Sequence, residues 1–592
     1  MRVADYIVNY LYENVADTLF MVVGGGSMFL NDAIRKHGKM KYICCHHEQA
    51  AAMAASGYAR ATGKPGVCNV TTGCGSTNAL TGVLGAWQDR IPMIIISGQT
   101  KRRETIAQAG TRIPIRQMGV QEADIIPIVK PITKYSIVVT DPNEIKQILD
   151  FVCWTMRNPP TGPVWIDVPL DIQGVQIDFD KLASYPLPKE QPPDYSNVSL
   201  LLNMLQSCKR PIIIAGHGIR LDDSLVSFRN FVESYNIPVV FSRLGIDVLP
   251  YDHPLHIGRI GTKGDRAGNF TVQNADLVIS MGSRLSVSTI GQEYNLFARD
   301  AKKVVIDVDP NEHEKKTIKI DLFLRGRISK FLETLNILYM SVNFHDWAEK
   351  CLYWKKKWPV FQPEHLNSEK VNLYYFIDKL SEKLQENAVV IGDAGSAMFV
   401  TGQGFKNKEG QILILSGGQA EMGFTVPACV GASVAKGEVI GIVGDGSFQM
   451  NIQELQTIVH HKLPIKLFVW NNEGYLSIRN TQKKFFGGNF IGCDPEIGDI
   501  SFPSLEKIAE AYGIKYFKCD TKSLDQVMND VLAFKGPAIC EVLCLKNQDI
   551  LTVSSIEKNG VMVSRPLEDM YPFLPREEFL QEMIVKPTEA SK

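Results

Sequence analysis

The sequence predicts an α/β protein made of three consecutive doubly wound parallel-sheet domains. A chain of 592 residues is too long for one hydrophobic core and has the length of about three ordinary domains. Short apolar strands alternate with helical patterns in three separate blocks, which is typical of parallel sheets covered by helices. We therefore expect domains at residues 1–180, 195–340 and 365–550, followed by a C-terminal tail or lid at residues 551–592.

The expected strands are short apolar runs rich in β-branched residues. They lie at 20–23, 67–70, 92–97 and 163–168 in the first block, at 212–215, 239–242, 277–281 and 304–308 in the second, and at 439–443 and 465–470 in the third. A proline-rich stretch at 186–193 and an irregular stretch rich in tryptophan and lysine at 354–363 separate the blocks.

The composition argues against several classes of partner. Apolar residues make up 45% of the chain, charged residues 21%, and the net charge is -1, so neither nucleic acid nor an anionic membrane surface is an expected partner. Twelve cysteines without a CxxC pair indicate reduced thiols rather than a disulfide or zinc framework. The N-terminus lacks the apolar block of a signal peptide, and no later run approaches a membrane span, so we expect a cytoplasmic protein.

The most informative motif lies in the third block. One expected strand is followed by Gly-Asp-Gly at 444–446, and the next is followed by Asn-Asn at 471–472. Glycines let phosphate oxygens approach backbone N–H groups, while the Asp445 carboxylate and the Asn472 amide oxygen suit a small dication. A glycine turn after a strand is common in any α/β protein, but the Asn-Asn pair after the next strand makes the pattern specific. The sequence thus predicts a diphosphate and magnesium site.

The separation of 24 residues between Gly446 and Asn471 resembles the signature of enzymes that depend on thiamine diphosphate. The resemblance implies that Asp445 and Asn472 bind Mg²⁺ through their side chains and Gly474 binds it through its backbone carbonyl. The order of the three blocks is also similar to the pyrimidine-binding, central and diphosphate-binding domains of that family.

Thiamine chemistry needs a carboxylic acid that hydrogen-bonds the cofactor's pyrimidine ring in a site of low dielectric. Glu48, in the sequence His-Glu-Gln at 47–49 ahead of an alanine-rich run, matches the family's pattern and is the expected catalytic residue. Alone, it would more simply be an acid in the first turn of a helix, favoured by the helix dipole. His47 either orients a substrate or caps the helix.

Further segments resemble acetohydroxyacid synthase large subunits, and together they span residues 1 to about 545. They lie at 20–34, 57–66, 72–78, 162–164, 272–276, 416–418 and 422–424. By this resemblance the cofactor-binding residues are Gly25, Gly395, Ser396, Ala397, Ala420, Met422, Gly444, Gly446, Ser447 and Tyr475. The substrate-binding residues are Gly26, Gln121, Ser477, Ile478 and Arg479. Met422 would support the bent cofactor, a role that suits a bulky thioether.

The chain departs from that family around the expected acceptor pocket. A family phenylalanine is Val120, a family lysine is Leu170, and a pocket tryptophan is lost from the run that contains Arg479. An insertion between residues 101 and 116 carries several charges, among them Arg112. A pocket that gains an arginine and loses a tryptophan suits a larger, anionic or hydroxylated acceptor better than a small 2-keto acid.

The second block raises the question of a flavin. Glycines at 216, 218, 261 and 282, together with His217 and Arg284, match family positions around FAD. At the positions where that family has other polar residues in contact with the flavin, this chain has Ser286, Ser288 and Arg327. Each lost contact would weaken flavin binding by about 1 kcal/mol. FAD, ADP and an empty cleft all stay open.

The resulting hypothesis is a carboligase that decarboxylates pyruvate or a similar 2-keto acid and transfers the acyl unit to a carbonyl acceptor, such as a keto-sugar. A 2-keto acid decarboxylase that releases aldehyde and a homologue without catalysis are the alternatives. The resemblance also implies a homodimer or homotetramer in which Glu48 and Asp445 meet across a subunit interface. As part of the carboligase hypothesis, we expect the segment 563–570 of the tail and the charged insertion near Arg112 to close over the pocket. The acceptor and any regulatory subunit stay open.

Overall fold

Three parallel six-stranded sheets follow one another along the chain, which confirms the expected fold class. The protein is described by a computed structural model that covers residues 1–110, 115–189, 192–337, 341–558 and 560–591. Arg112, in the expected insertion, lies outside the described residues. The twelve cysteines are all free. Within the described ranges, none of the helices combines the length and the apolarity needed to cross a membrane.

The first sheet has the strand order β2-β1-β3-β4-β6-β5, and its central strands are buried along their whole length, as in a sheet covered on both faces. The strands are β1 to β6, at Thr18–Met21, Lys41–Cys44, Gly66–Val70, Met93–Gln99, Tyr135–Val138 and Val164–Pro169. The helices are α1 to α8, at Val3–Asn14, Met28–His37, Glu48–Thr62, Cys74–Asn78, Leu80–Gln88, Ile125–Val129, Ile145–Arg157 and Leu170–Gln173.

The middle sheet has the order β12-β11-β10-β7-β8-β9. Its strands are β7 to β12, at Pro211–Ala215, Val239–Phe241, His256–Arg259, Leu277–Met281, Lys302–Asp307 and Leu322–Arg325. Its helices are α9 to α15, at Val198–Ser207, Gly218–Leu221, Leu225–Tyr235, Arg266–Gln273, Val287–Ile290, Ile328–Ile337 and His345–Lys357. This order is that of nucleotide-binding doubly wound folds, with the direction of winding reversing between β7 and β10.

The third sheet has the order β14-β13-β15-β16-β18-β17, the same connectivity as the first. Its strands are β13 to β18, at Val389–Gly392, Ile412–Leu415, Val439–Gly444, Ile465–Asn471, Lys515–Cys519 and Ala538–Leu543. Its helices are α16 to α23, at Leu373–Lys383, Gly395–Gly404, Thr425–Lys436, Asp445–Phe448, Glu454–His460, Leu476–Phe485, Leu505–Tyr512 and Leu524–Ala533. The winding reverses between the neighbouring strands β13 and β15, and a crevice forms at the carboxyl ends of strands at such a point.

The C-terminal tail lies mainly against the middle block. It forms an antiparallel hairpin, β19 (Ser555–Lys558) with β20 (Val561–Ser564), and a helix, α24 (Arg576–Glu582). Buried Glu568 accepts hydrogen bonds from Gln273 at 2.5 Å and from Arg299 at 2.7 Å. The expected lid is therefore anchored at Glu568, and its closure over a pocket stays a prediction.

Helices α3 and α18 join the first and third blocks through glycines. A Cβ atom on Gly431 would lie 1.8 Å from the carbonyl oxygen of Ala54, and one on Gly57 would lie 2.3 Å from that of Ala428. The two backbones approach each other so closely that a side chain on either glycine has no space. This contact fixes the helix that begins at Glu48 against the block that carries the glycine motif.

Replacing Gly431 by valine should destabilise this contact by about 3 kcal/mol, because the added side chain overlaps backbone atoms that cannot move independently. We expect a lower melting temperature in scanning calorimetry. The control is Ala435→Val on the exposed side of the same helix, where only the difference in helix propensity, about 0.5 kcal/mol, applies. Equal melting of the two variants would contradict close packing at Gly431.

Candidate active site

The expected metal ligands converge at the carboxyl ends of β15 and β16. The two strands pair in register from Val439 with Ile465 to Gly444 with Trp470, so the following residues leave the sheet at the same level. The Asp445 carboxylate accepts hydrogen bonds from the backbone N–H groups of Gly446 at 2.8 Å and of Gly474 at 2.9 Å. One side chain thus ties the loop after β15 to the loop after β16.

Burial raises the pKa of Asp445 to about 6, against the opposing effect of these backbone donors and of Arg479. The side-chain oxygen Oδ1 of Asn472 is buried and has no hydrogen-bond partner among the described residues. A buried acceptor without a partner costs free energy unless a ligand satisfies it. A carboxylate, an amide oxygen and the nearby Gly474 carbonyl form a set of hard oxygen donors, so these residues fit Mg²⁺.

Arg479 occupies a different position from the one expected of a substrate-binding residue. It is only 1% exposed, and its guanidinium donates to the carbonyl oxygens of Asn472, Glu473 and Lys546. Its Nε atom lies 3.1 Å from the carboxylate of Asp494. The guanidinium is therefore engaged mainly by the protein's own carbonyl groups. It clamps the loop that carries the expected metal ligands.

Asp393, which was not among the predicted site residues, lies at the same carboxyl edge of the third sheet as Asp445. It follows β13 and is fully buried, and its Oδ2 atom accepts a hydrogen bond from the Ser447 hydroxyl at 2.6 Å. Burial raises its pKa to about 6, although the hydrogen bond from Ser447 opposes the shift. Ser447 in turn accepts from the Gly423 N–H at 2.8 Å. The feature of the sequence that could have identified Asp393 is its position directly after a buried strand.

The residues predicted to bind the diphosphate lie at this edge of the third sheet. Helix α17 begins at Gly395, where φ is +56°, and its first turn contains Ser396 and Ala397. The N-terminus of a helix presents free N–H groups and a positive dipole end to phosphate oxygens. The Ser477 hydroxyl, near Gly395, is buried without a partner in the described part of the chain, as Asn472 Oδ1 is. These groups fit a diphosphate.

Glycines leave room beside the expected metal ligands. A Cβ atom on Gly444 would contact nothing within 4 Å, whereas one on Gly446 would lie 2.2 Å from the ring of Tyr475. Tyr475 therefore packs on the glycine turn. The side chain of Ile478, in the helix that follows Tyr475, is 49% exposed.

The loop after β14 carries Ala420, with φ of +56°, and the partly buried Met422. Two residues of the first block anchor this loop, because the Asp89 carboxylate accepts from the Gly417 N–H at 3.0 Å and pairs with Arg60 at 2.7 Å. Both charged side chains are almost completely buried. Sequence analysis missed this pair, since neither residue lies near the loop in sequence.

Glu48 lies at the carboxyl edge of the first sheet, where it begins α3. It is 8% exposed, and its Oε2 atom accepts a hydrogen bond from the Asn78 amide at 3.0 Å. His47 caps the helix, because its Nδ1 atom accepts from the Gln49 N–H at 3.1 Å. The N–H of His46 donates to Glu454 of the third block at 2.9 Å.

The glycine loop after β1 lies beside the loop after β3. Gly25 is exposed, and a Cβ atom on it would contact nothing within 4 Å. Gly26 donates its N–H to the Thr71 hydroxyl at 3.1 Å. Gln121 is exposed with φ of +59°, and its carbonyl accepts from the Thr72 hydroxyl at 3.4 Å. These residues and Glu48 lie at the same edge of the first sheet.

Among the described residues of one chain, no hydrogen bond joins Glu48 to the expected metal ligands. Of the hydrogen bonds in the described ranges, none connects Glu48 with Asp445, Asn472 or Met422. The contact between the first and third blocks instead uses α3 and α18 along their length.

The middle block has a cleft where its winding reverses, and His217, Gly218, Gly282 and Ser283 line it. The Gly218 N–H donates to the Gly282 carbonyl at 3.0 Å, which brings the loops after β7 and β10 together. Arg90 of the first block pairs with Asp309 at the cleft. Ser286 and Ser288, which replace expected flavin partners, bond to each other at 2.9 Å. The cleft has the glycine backbone expected at a nucleotide site, and these contacts select no particular nucleotide.

Comparison with known proteins agrees with this arrangement. Models of thiamine pyrophosphate enzymes match the chain in three segments: the N-terminal TPP binding domain at residues 1–126, the central domain at 198–335 and the C-terminal TPP binding domain at 393–542.

Among curated proteins, an acetolactate synthase large subunit of Lactococcus lactis is 32% identical over 560 residues, which cover 93% of each chain. The chloroplastic acetolactate synthase of Arabidopsis thaliana is 31% identical over 93% of this chain and 82% of its own. The isozyme 2 large subunit of Escherichia coli is 30% identical over 92% and 95%. The chain therefore belongs to the thiamine pyrophosphate enzymes and is an acetolactate synthase-like member of that family.

Proposed function

We propose that the protein is a Mg²⁺-dependent carboligase that decarboxylates pyruvate or a similar 2-keto acid and joins the acyl unit to a carbonyl acceptor. One carbon–carbon bond breaks with loss of carbon dioxide, another forms to the acceptor carbonyl carbon, and a proton is added to the acceptor oxygen. The main support is the buried side-chain oxygen of Asn472, which has no hydrogen-bond partner in the described part of the chain and lies near Asp445 at the crevice of the third sheet. When bound, thiamine diphosphate supplies a nucleophilic carbon and an electron sink.

In this proposal Asp445, Asn472 and the Gly474 carbonyl hold Mg²⁺. The first turn of α17 and Ser477 bind the diphosphate oxygens. Arg479 keeps the loop between Asn472 and Gly474 in place by binding its carbonyls.

Glu48 is proposed to donate a hydrogen bond to the pyrimidine ring and to hold the proton there. The Asn78 amide fixes one carboxylate oxygen and leaves the other for this contact. Near-complete burial keeps water from competing for the carboxyl group.

Because no hydrogen bond among the described residues joins Glu48 to Asp445 within one chain, we propose that the two residues meet across a subunit interface in a homodimer or a homotetramer. The acceptor is proposed to be a larger or hydroxylated carbonyl compound such as a keto-sugar, on the basis of the sequence differences at Val120 and around residues 475–481. FAD or ADP in the middle cleft stays an open proposal.

Replacing Glu48 by glutamine should lower kcat by about 10² to 10⁴-fold, because the amide does not exchange the proton. Binding of thiamine diphosphate, followed by tryptophan fluorescence, should be retained. Glu144→Gln, which removes an exposed acid of the same block, is the control and should keep full turnover. Normal turnover in Glu48→Gln would refute the assignment.

Mixing denatured Glu48→Gln and Asp445→Asn chains and refolding them together extends this test. If sites lie between subunits, half of the dimers are mixed and each has one intact site, so about a quarter of wild-type activity returns. If each site lies within one chain, the mixture stays inactive.

With thiamine diphosphate, Mg²⁺ and pyruvate alone, we expect slow release of carbon dioxide and little acetolactate, because the proposed acceptor is absent. Addition of a hydroxylated aldehyde should raise the rate and consume the aldehyde, as measured by chromatography of the products. Abundant acetolactate would instead show that a second pyruvate is the acceptor. Acetaldehyde as the main product, unaffected by added carbonyl compounds, would favour a decarboxylase.

A further inference from the structure

Lys263 is a cation without a protein anion beside it. It follows β9 in the middle block, and the Gln403 side chain of α17 donates to its carbonyl at 3.0 Å, which holds its backbone against the third block. Its ammonium group lies 3.6 Å from the centre of the Phe399 ring. Across the described ranges, no hydrogen bond or ion pair from this ammonium to an oxygen is present.

A second cation faces the same ring. The guanidinium carbon of Arg243 lies 5.6 Å from the centre of Phe399, and its Nη1 atom donates to the Gly417 carbonyl at 2.8 Å. Burial lowers the pKa of Lys263 to about 8, and the charges of Arg243 and Lys484 contribute to the same shift. Like charges are therefore gathered here at a cost in free energy.

The nearest carboxylate does not compensate these charges. Asp89, which acts on Arg243, is already paired with Arg60 at 2.7 Å and accepts the Gly417 N–H. Lys484 donates to the Ser555 carbonyl, which is uncharged. Among the described residues neither Lys263 nor Arg243 forms an ion pair, although both lie over the Phe399 ring, and gathered cations of this kind are typical of sites for phosphate or carboxylate groups.

The position of these cations connects the two sites described above. Arg243 lines the cleft of the middle block. Phe399 belongs to α17, whose first turn at Gly395 is proposed to bind the cofactor diphosphate. Arg243 thus lies at the cleft, and Phe399, over which both cations lie, belongs to the helix that begins at the proposed diphosphate site.

We propose that Lys263 and Arg243 form a subsite for a phosphate or carboxylate group carried by the carbonyl acceptor. This inference rests on the proposed carboligase function and assigns its acceptor to the anionic carbonyl compounds. Arg479 cannot supply this charge, since its guanidinium is bound to backbone carbonyls. The Phe399 face orients the ammonium group, and the remaining N–H groups of both cations are available to the anion.

Calorimetry with the full chain saturated with thiamine diphosphate and Mg²⁺ tests the subsite without turnover. Glycerol 3-phosphate should bind, whereas glycerol should not. Lys263→Met should weaken glycerol 3-phosphate binding at least tenfold, the typical effect of losing a hydrogen bond to a charged group, and Lys263→Arg should restore most of it. The matched control is Lys515→Met, which removes an exposed lysine beside Phe517 on the outer strand β17 and should change nothing.

Two results would overturn the inference. Glycerol 3-phosphate that binds the wild type no better than glycerol would show that no such subsite exists. A Lys263→Met variant that loses affinity for thiamine diphosphate, while its affinity for glycerol 3-phosphate is unchanged, would assign the cations to the cofactor.

Turnover separates this inference from the proposed function. With pyruvate as donor, the wild type should have a lower KM for glycolaldehyde phosphate than for glycolaldehyde, and Lys263→Met should abolish that difference. Binding of glycerol 3-phosphate without ligation of either aldehyde would refute the carboligase, while the anion subsite would stand. Equal KM values for both aldehydes in the wild type would refute the subsite.

Discussion

The backbone of the short loop that follows β16 is hydrogen-bonded to the buried side chain of Asp445, and the arrangement of the candidate active site depends on this contact. Asp445 receives N–H groups from both neighbouring loops, and Arg479 holds the carbonyls of Asn472 and Glu473 from the other side. The loop is thereby fixed between an anion and a cation, and the Asn472 amide oxygen is left buried without a partner in the part of the chain described. A fixed donor set of this kind costs little reorganisation when a dication binds.

The three sheets place the other components around that loop. In each doubly wound sheet the loops at the carboxyl ends of the strands meet where the winding reverses. The third sheet therefore brings Asp393, Ser447 and the start of α17 to the corner that holds Asp445 and Asn472, and the first sheet brings Glu48 and the glycine loop to its own edge. The close contact of α3 with α18 fixes these two blocks relative to each other, while Arg60 and Asp89 fix the loop that carries Met422.

Much of this arrangement could be predicted from the sequence, because it depends on local patterns. Alternating apolar strands and helices predicted three parallel sheets, and the positions of Asp445 and Asn472 after two neighbouring strands predicted their convergence. Long-range contacts could not be predicted in this way. Arg479 was expected to face a substrate, yet its partners include residues as distant in sequence as Lys546. Tertiary packing that no local pattern encodes also determines the position of Asp393 and the Arg60–Asp89 ion pair. The same holds for the approach of Lys263 and Arg243 to the Phe399 ring.

The central claim is that Asp445 and Asn472 form a dication site that holds the cofactor diphosphate, and binding of thiamine diphosphate tests it most directly. Affinity would be measured by calorimetry with and without Mg²⁺, for the wild type and for Asp445→Asn. The account predicts tight binding by the wild type only when Mg²⁺ is present, and loss of that Mg²⁺ dependence together with most of the affinity in Asp445→Asn. Equal affinity in all four experiments would contradict it.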